Sequence, residues 1–403
     1  MVSVTPYLDQ SYIGEYQNKL MELYQADTAI NHLVPVSIRS SLEWLLRYVN
    51  CYYSNKIEGN PTHPKDLLKL QEGSDYSAMN EKSKPVMELL AHLELQLKLR
   101  NNSVSEEHVC TEEFIKSLHR SFYDGWPDEY RVIRDREGSV VLDADQQPMK
   151  IKPGCYRDID VKVGSHIAPP CGEVAAYMRW IEKSFTLRSI HGTNRLMAAA
   201  ALHHRIAWIH PFADGNGRVL RLLTDCYMRF SGLGGYGLWS ITRGFGRDPS
   251  SYYYALSQAD KVRQGTTDGR GVLSDSGLVF FVKYFIDTAL DQVNYFSGLL
   301  EPGRLRVRID YYFEMRSKGA IPDLKGKPLP ILKIIAREIY KVLLDRGVMS
   351  KAAICTYLGK TEQTLRSTFK QMHEEKLINI KSKDHVELQL SPAAIEFMFP
   401  GLW

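Results

Sequence analysis

Residues 196–209 form a long, Ala-rich, apolar run that stops at His210-Pro211. Apolar spacing resumes at Leu220, Leu222, Leu223 and Tyr227. A helix that is apolar on every side has to be buried. Two such helices joined by a short polar loop force the rest of the chain to wrap round them, so a mainly α fold is expected. The loop between them, Asp214-Gly215-Asn216-Gly217-Arg218, is the N-terminal approach of the second helix.

Other helices follow from spacing. Leu42, Leu45, Leu46 and Val49 repeat at helical intervals and lead into Cys51-Tyr52-Tyr53-Ser54-Asn55-Lys56-Ile57-Glu58, where Gly59, Asn60 and Pro61 stop the helix. Residues 83–99 read as a second helix. A third starts near Thr111 with Phe114, Leu118 and Phe122 inward, and others start from Gly172 and from Ser250. Between 126 and 170 the pattern changes. Residues 130–133 and 140–142 read as short strands around Glu137-Gly138, and residues 161–167 alternate in the same way. These are expected to be hairpins set on the helical body.

The length of 403 residues allows two or three domains. The Pro-, Gly- and Lys-rich stretch 322–330 reads as a linker. Beyond it, helices at 331–346, 350–357 and 361–376 precede a hairpin of 377–380 with 386–390, a winged-helix pattern. The expected division is an N-terminal helical region to 110, a helical core with a hairpin flap over 111–300, a linker over 301–330 and a winged-helix domain over 331–403.

A net charge of +4 is too small to argue for nucleic acid by itself. In the longest C-terminal helix, Arg366, Lys370 and Lys376 are balanced by Glu362, Glu374 and Glu375. A reader of DNA usually shows a basic face, so DNA is not the favoured partner. Docking of a substrate or formation of a homodimer is expected instead. The six cysteines are scattered without metal-ligand spacing and read as free thiols. No signal segment and no membrane-spanning run is visible, so a cytoplasmic protein without a membrane partner is expected.

The loop itself carries chemistry. First-turn amides of a helix lack intrahelical acceptors and, with the macrodipole, make an anion site. Gly215 and Gly217 let a phosphate approach without a Cβ in the way. Arg218 and Arg221 share one helix face and are candidates for phosphate oxygens. Asp214 beside a polyphosphate is a natural Mg2+ ligand, His210 can take a proton near neutral pH, and Phe212 reads as an apolar anchor. Each of these residues has an ordinary structural reading when taken alone. Base, anchor, acid, anion nest and two arginines in one short span between buried helices do not.

The segment from His210 to Arg221 resembles the signature of the Fic family, His-Pro-Phe-x-Asp/Glu-Gly-Asn-Gly-Arg-x-x-Arg, with every specified position filled. Pro153-Gly154-Cys155-Tyr156-Arg157 resembles the stretch before the family's flap, and Val163-Gly164-Ser165-His166-Ile167 resembles the flap. Tyr252-Tyr253 with Leu256 and Ala259 resembles its adenine-covering helix, although Asp260 stands where the family pattern has Asn. The resemblance implies AMP transfer from ATP to a protein Tyr, Thr or Ser hydroxyl, including self-modification. His210 would be the base and Asp214 the Mg2+ ligand. Gly215, Asn216, Gly217, Arg218, Arg221, Val163, Gly164, Ser165, His166, Tyr252 and Tyr253 would lie around ATP. Ser54, Glu58 and Gly59 resemble the family's inhibitory pattern, in which a carboxylate pairs with the second arginine and competes with the γ-phosphate. A Doc-like phosphotransferase carries Lys in place of the second loop glycine, which Gly217 opposes. Removal of AMP with Glu58 activating water remains an alternative from sequence, as does a DNA-binding regulator on an inert body.

Overall fold

The computed structural model describes residues 4–403 except 64–65, 67, 69–82, 102–103, 135–137, 143–144 and 165. The two apolar helices lie at its centre. Numbered in chain order, they are α6 (Asn194–Ile209) and α7 (Asn216–Met228), packed on each other. Leu196 through Ile206 of α6 are all buried, including His203, His204 and Arg205. Burying polar side chains there is tolerated because they have partners. His203 contacts Thr224 Oγ1 and Tyr252 Oη, each at 2.7 Å. His204 meets Asp260 Oδ1 at 3.0 Å.

Around this pair run α1 (Tyr16–Leu33), α2 (Val36–Ile57), α3 (Lys84–Asn101), α4 (Glu112–Tyr123), α5 (Val174–Ser184), α8 (Ile241–Arg247), α9 (Pro249–Ala259), α10 (Asp275–Leu300) and α11 (Pro302–Ser317). Start signals are local. Thr111 caps α4 by accepting from the Phe114 amide, with Glu112 and Glu113 favouring the positive end of the dipole. Asp248 caps α9, whose first residue is Pro249. The helix α2 ends at Gly59, whose φ of 80° suits glycine. Among the described residues no helix is long and apolar enough to cross a membrane, and all six cysteines are unpaired.

The expected strands are only partly strands. Residues 128–131 form a 3-10 turn, and the pairing at Val132, Arg134 and Leu142 reduces to isolated bridges with Lys150, Val140 and Pro148. The turn residue Glu137 lies outside the described residues. The flap is an antiparallel pair, β1 (Lys162–Val163) with β2 (His166–Ile167). Ser165 at its tip lies outside the described residues.

In the C-terminal part, residues 302–317, read from sequence as linker, are the helix α11, capped by Glu301. The 322–330 stretch folds back on itself: the Asp323 amide donates to Lys327 O and the Leu329 amide to Ile321 O. The next helix, α12 (Ile335–Arg346), starts four residues later than the spacing predicts. Then follow α13 (Lys351–Leu358), α14 (Glu362–Glu374), and β3 (Ile378–Ser382) paired antiparallel with β4 (His385–Leu388). A short α15 (Pro392–Met398), which the sequence reading missed, returns to α11.

Two parts of the structure meet on α2. Its first half packs on α12 and β4, with Ser41 Oγ donating to Leu388 O at 3.2 Å. Its second half lies on α8, and a Cβ placed on Gly246 would stand 2.7 Å from Tyr53 Cδ1 and 3.0 Å from Tyr53 O. Gly246→Ala is therefore expected to push α2 off α8 and to lower stability by about 1–3 kcal/mol, the usual cost of overpacking. Urea unfolding of the two proteins measures this, and equal midpoints would show that the contact is not limiting.

Candidate active site

His210 follows α6 directly. Its backbone is left-handed, with φ 51° and ψ 62°, a conformation uncommon outside glycine and asparagine. Several contacts hold it there. Its amide donates to Ile206 O at 3.0 Å, and Arg157 Nε donates to its carbonyl at 2.8 Å. Arg157 is itself buried. Its other guanidinium nitrogens reach Ile159 O, Pro169 O and Ile209 O, and its amide reaches Pro211 O. One side chain thus ties the end of α6 to both flanks of the flap.

The following loop closes on itself. Asn216 Oδ1 accepts from the Phe212 amide at 2.9 Å, and Asn216 Nδ2 donates to Phe212 O at 2.7 Å. The Asn216 side chain is thus a brace across the turn. Its backbone amide, with those of Gly217 and Arg218, still opens α7, and such first-turn amides have no intrahelical acceptor. Phe212 is fully buried and stacks on His119 with ring centres 4.0 Å apart. Gly215 has φ 77°, and a Cβ there would lie 2.6 Å from Tyr123 Oη.

Sequence reasoning missed His119. Its Nδ1 accepts from the Gly154 amide at 2.9 Å, and its Nε2 lies 3.2 Å from Asp214 O. The signal available was its place in α4, one turn before Tyr123, but a lone helical histidine has no spacing partner.

Arg221 is 2% exposed at its side chain. Nε donates to Ser54 Oγ at 2.9 Å, and Nη2 donates to Ser54 O at 2.8 Å and to Glu58 Oε1 at 2.6 Å. Ser54 and Glu58 are one turn apart on the last turns of α2, so one helix face supplies all three acceptors. The Glu58 carboxylate lies directly over the start of α7: a Cβ on Gly217 would collide with Glu58 Oε1. An anion already sits against the helix N-terminus that the loop leaves open.

Arg218 points elsewhere. Its guanidinium is 4% exposed, pairs with Glu88 of α3 at 2.6 Å, lies 3.4 Å from Asp214 Oδ1 and covers the Phe122 ring. The two arginines thus have different partners. Three residues apart on α7, they diverge into two acidic pockets supplied by α2 and α3. Asp214 Oδ1 also accepts from the Gly215 amide, while Oδ2 faces Lys84 of α3 at 3.8 Å. Burial raises the Asp214 carboxyl, but Arg218, Lys84 and the Gly215 amide outweigh it and hold the pKa below the usual value. Lys84 and Glu88 were not singled out from sequence, because only the fold brings α3 to the loop.

Around the flap, His166 donates from Nε2 to Trp208 O at 2.8 Å, and its Nδ1 lies 3.8 Å from Asp260. Val163 and Ile167 are exposed on the flap's outer edge, and Gly164 turns it with φ 69°. The two tyrosines separate. Tyr253 is half exposed and donates to Ile57 O at 3.1 Å. Tyr252 is buried against Phe245, with its hydroxyl committed to His203.

Residues 109–228 match the model of the Fic/DOC family. These residues are a Fic domain. The Fic domain therefore contains His119, Arg157, the flap and everything from His210 to Arg221, while Ser54, Glu58, Lys84, Glu88, Tyr252 and Tyr253 reach it from outside the match. Curated relatives named "Protein adenylyltransferase Fic" include one from Drosophila mojavensis, 27% identical over 62% of this chain and 42% of its own length. Another, from Drosophila erecta, is 28% identical over 64% and 45%. The chain thus spans less than half the length of the curated relatives it matches. The fold resembles a Fic family protein from Desulfovibrio desulfuricans G20 (TM-score 0.52, 17% identity, 96% of this chain and 98% of that one). It also resembles Fic-1 from C. elegans (TM-score 0.51, 19% identity, 71% and 73%).

Around the Fic domain, burial pushes several histidines down: His119, His204 and His210 to about 4, His92 to about 3, and His203 well below its usual value. Each is neutral in the folded protein at pH 7. Below about pH 6.5 the unfolded chain takes up protons that these folded sites refuse. Stability is then complete above 6.5 and is lost as pH falls towards 4, by up to about 1.4 kcal/mol per pH unit for each group. Urea unfolding at pH 7.5, 6.0 and 5.0 is expected to show a progressive drop, smaller in His92→Gln. A flat profile over that window would contradict the buried neutral assignment.

Proposed function

We propose that the chain is a protein adenylyltransferase that moves AMP from ATP to a Tyr, Thr or Ser hydroxyl of a protein and is held in check by Glu58. What supports the reading is His210 directly before a loop whose glycines a phosphate could approach and which leads into the first amides of α7. The names of the curated relatives support the activity, and Gly217 leaves the helix start open where a Doc-like enzyme carries Lys.

The chemistry follows from the residues. A neutral imidazole at His210, its pKa pushed down to about 4 chiefly by burial, can accept the proton of a hydroxyl. The hydroxyl oxygen bonds to the α-phosphorus, the bond from that phosphorus to the bridging oxygen breaks, and pyrophosphate leaves with the electron pair. The amides opening α7 stabilise the phosphate charge as it shifts. Among the described residues no three potential metal-ligating side chains gather. A single carboxylate still fits Mg2+, which is commonly held by one or two carboxylates and the phosphates of the substrate. Asp214 Oδ2 would hold it, with Lys84 as the competing cation, and the ion would neutralise phosphate charge. The exposed flap edge at Val163 and Ile167 suits a target segment laid alongside it as a strand.

Glu58 supplies the control. While it holds Arg221 and covers Gly217, a γ-phosphate meets a carboxylate where it needs a cation. Removing one partner of a buried pair shifts energies by about 3–5 kcal/mol. Glu58→Gly is therefore expected to raise transfer at least about ten-fold, since ~1.4 kcal/mol is a factor of ten, and Glu58→Gly with Arg221→Ala should lose the gain. Rates of labelling from ATP marked on the α-phosphate measure this, and equal rates for wild type and Glu58→Gly would end the inhibitory reading. His210→Ala is expected to abolish transfer while ATP, followed by calorimetry in the Glu58→Gly background, still binds. Near wild-type labelling by that variant, or labelling from the γ-phosphate, would remove the assignment.

A further inference from the structure

The last turns of α2 are covered on their outer side by residues 400–403, and the cover is built from backbone recognition. Arg243 of α8, 1% exposed, donates from Nε to Leu402 O at 3.1 Å and from Nη2 to Gly401 O at 2.8 Å. Its Nη1 donates to Gln292 Oε1 at 3.0 Å. Its guanidinium lies on the ring of Tyr295, 3.7 Å from the centre, and Tyr295 Oη donates to Pro400 O at 3.3 Å. Tyr53 Oη adds a longer bond to Leu402 O at 3.4 Å, Leu402 is buried, and Trp403 meets Tyr52 edge-on with ring centres 6.0 Å apart. Three successive carbonyls each have a side-chain donor from the body of the protein. Tyr52 and Tyr53 are the two residues immediately before Ser54.

We propose that residues 400–403 are an intramolecular clamp that keeps the end of α2 seated, and that their departure frees Arg221 from Ser54 and Glu58. The proposal rests on the adenylyltransferase reading and concerns the regulation of the same site. The physical argument is one of leverage. Ser54 and Glu58 can reach Arg221 only while the last turn of α2 stays against α7. On the opposite side that turn is held by α8, through Gly246 and Arg243, and by the clamp. Without the clamp, Arg243 is a buried cation short of two acceptors and must rearrange, and Tyr52 loses its cover. The clamp continues α15, which packs on α11, and β4 and α12 of the same C-terminal part grip the first half of α2. Movement of that part therefore acts on both ends of the helix that carries Glu58.

The test uses the full chain, Trp403→Ala, and a chain stopped after Phe399, each with and without Glu58→Gly. Two readouts are needed: labelling from α-marked ATP, and amide hydrogen exchange over residues 50–60. The stopped chain is expected to raise labelling several-fold, Trp403→Ala less, and neither should add to Glu58→Gly. Exchange over 50–60 should rise in both. Unchanged exchange overturns the clamp whatever the activity. Faster exchange with unchanged labelling, while Glu58→Gly does activate, overturns the coupling. If Glu58→Gly itself leaves labelling unchanged, the inhibitory reading fails, and the exchange data still decide the clamp. Should the stopped chain not fold, Arg243→Gln in the full chain, which withdraws the donor shared by Gly401 O and Leu402 O, takes its place with the same two readouts.

Discussion

A guanidinium with almost no exposure has to be given acceptors, and the environment of Arg221 follows from that requirement. Three of its contacts come from two residues of a helix more than 160 positions earlier. Removing charge from water costs several kcal/mol unless pairing and hydrogen bonds replace the solvent. The end of α2 is consequently part of the site as much as α7 is. The same contact puts a carboxylate over the amides where the loop was read to take phosphate.

Other buried donors divide the work of holding the loop. Arg157 gathers the carbonyls at the end of α6 and around the flap, Asn216 closes the turn on Phe212, and His119 joins the Gly154 stretch to Asp214. Arg218 with Glu88 and Asp214 forms a chain of alternating charge that reaches α3, and Asn60, two residues beyond Glu58, donates from Nδ2 to both Glu88 and Pro85 O. The left-handed backbone of His210 is maintained by this surrounding set and not by any preference of histidine itself.

Helix α2 links the two ends of the chain to the site. It touches α12 and β4 with its first half and the Fic domain with its last turns. The part of the molecule that resembled an attached module in sequence is thus packed on the element that carries Ser54 and Glu58, and α11 bridges it to α10 where a linker was expected.

The central helix pair, the loop between them and the end of α2 were legible in the sequence, because an all-apolar helix, a glycine-punctuated loop and a Gly-Asn-Pro stop are local signals of backbone and solvent preference. The strands of residues 128–150 were not, since short alternating runs gain pairing only where tertiary contacts supply it, and α11 and α15 were hidden by proline and glycine nearby. Tyr252 and Tyr253 look alike in sequence. Only the packing of α9 decided that one ring fills the core against Phe245 while the other faces outward. The sequence by itself determined which charges stand near the loop on α7. Which carboxylate each arginine meets, Glu58 or Glu88, was decided by the tertiary structure, because side chains three residues apart on a helix can diverge and their partners come from helices that only folding brings together.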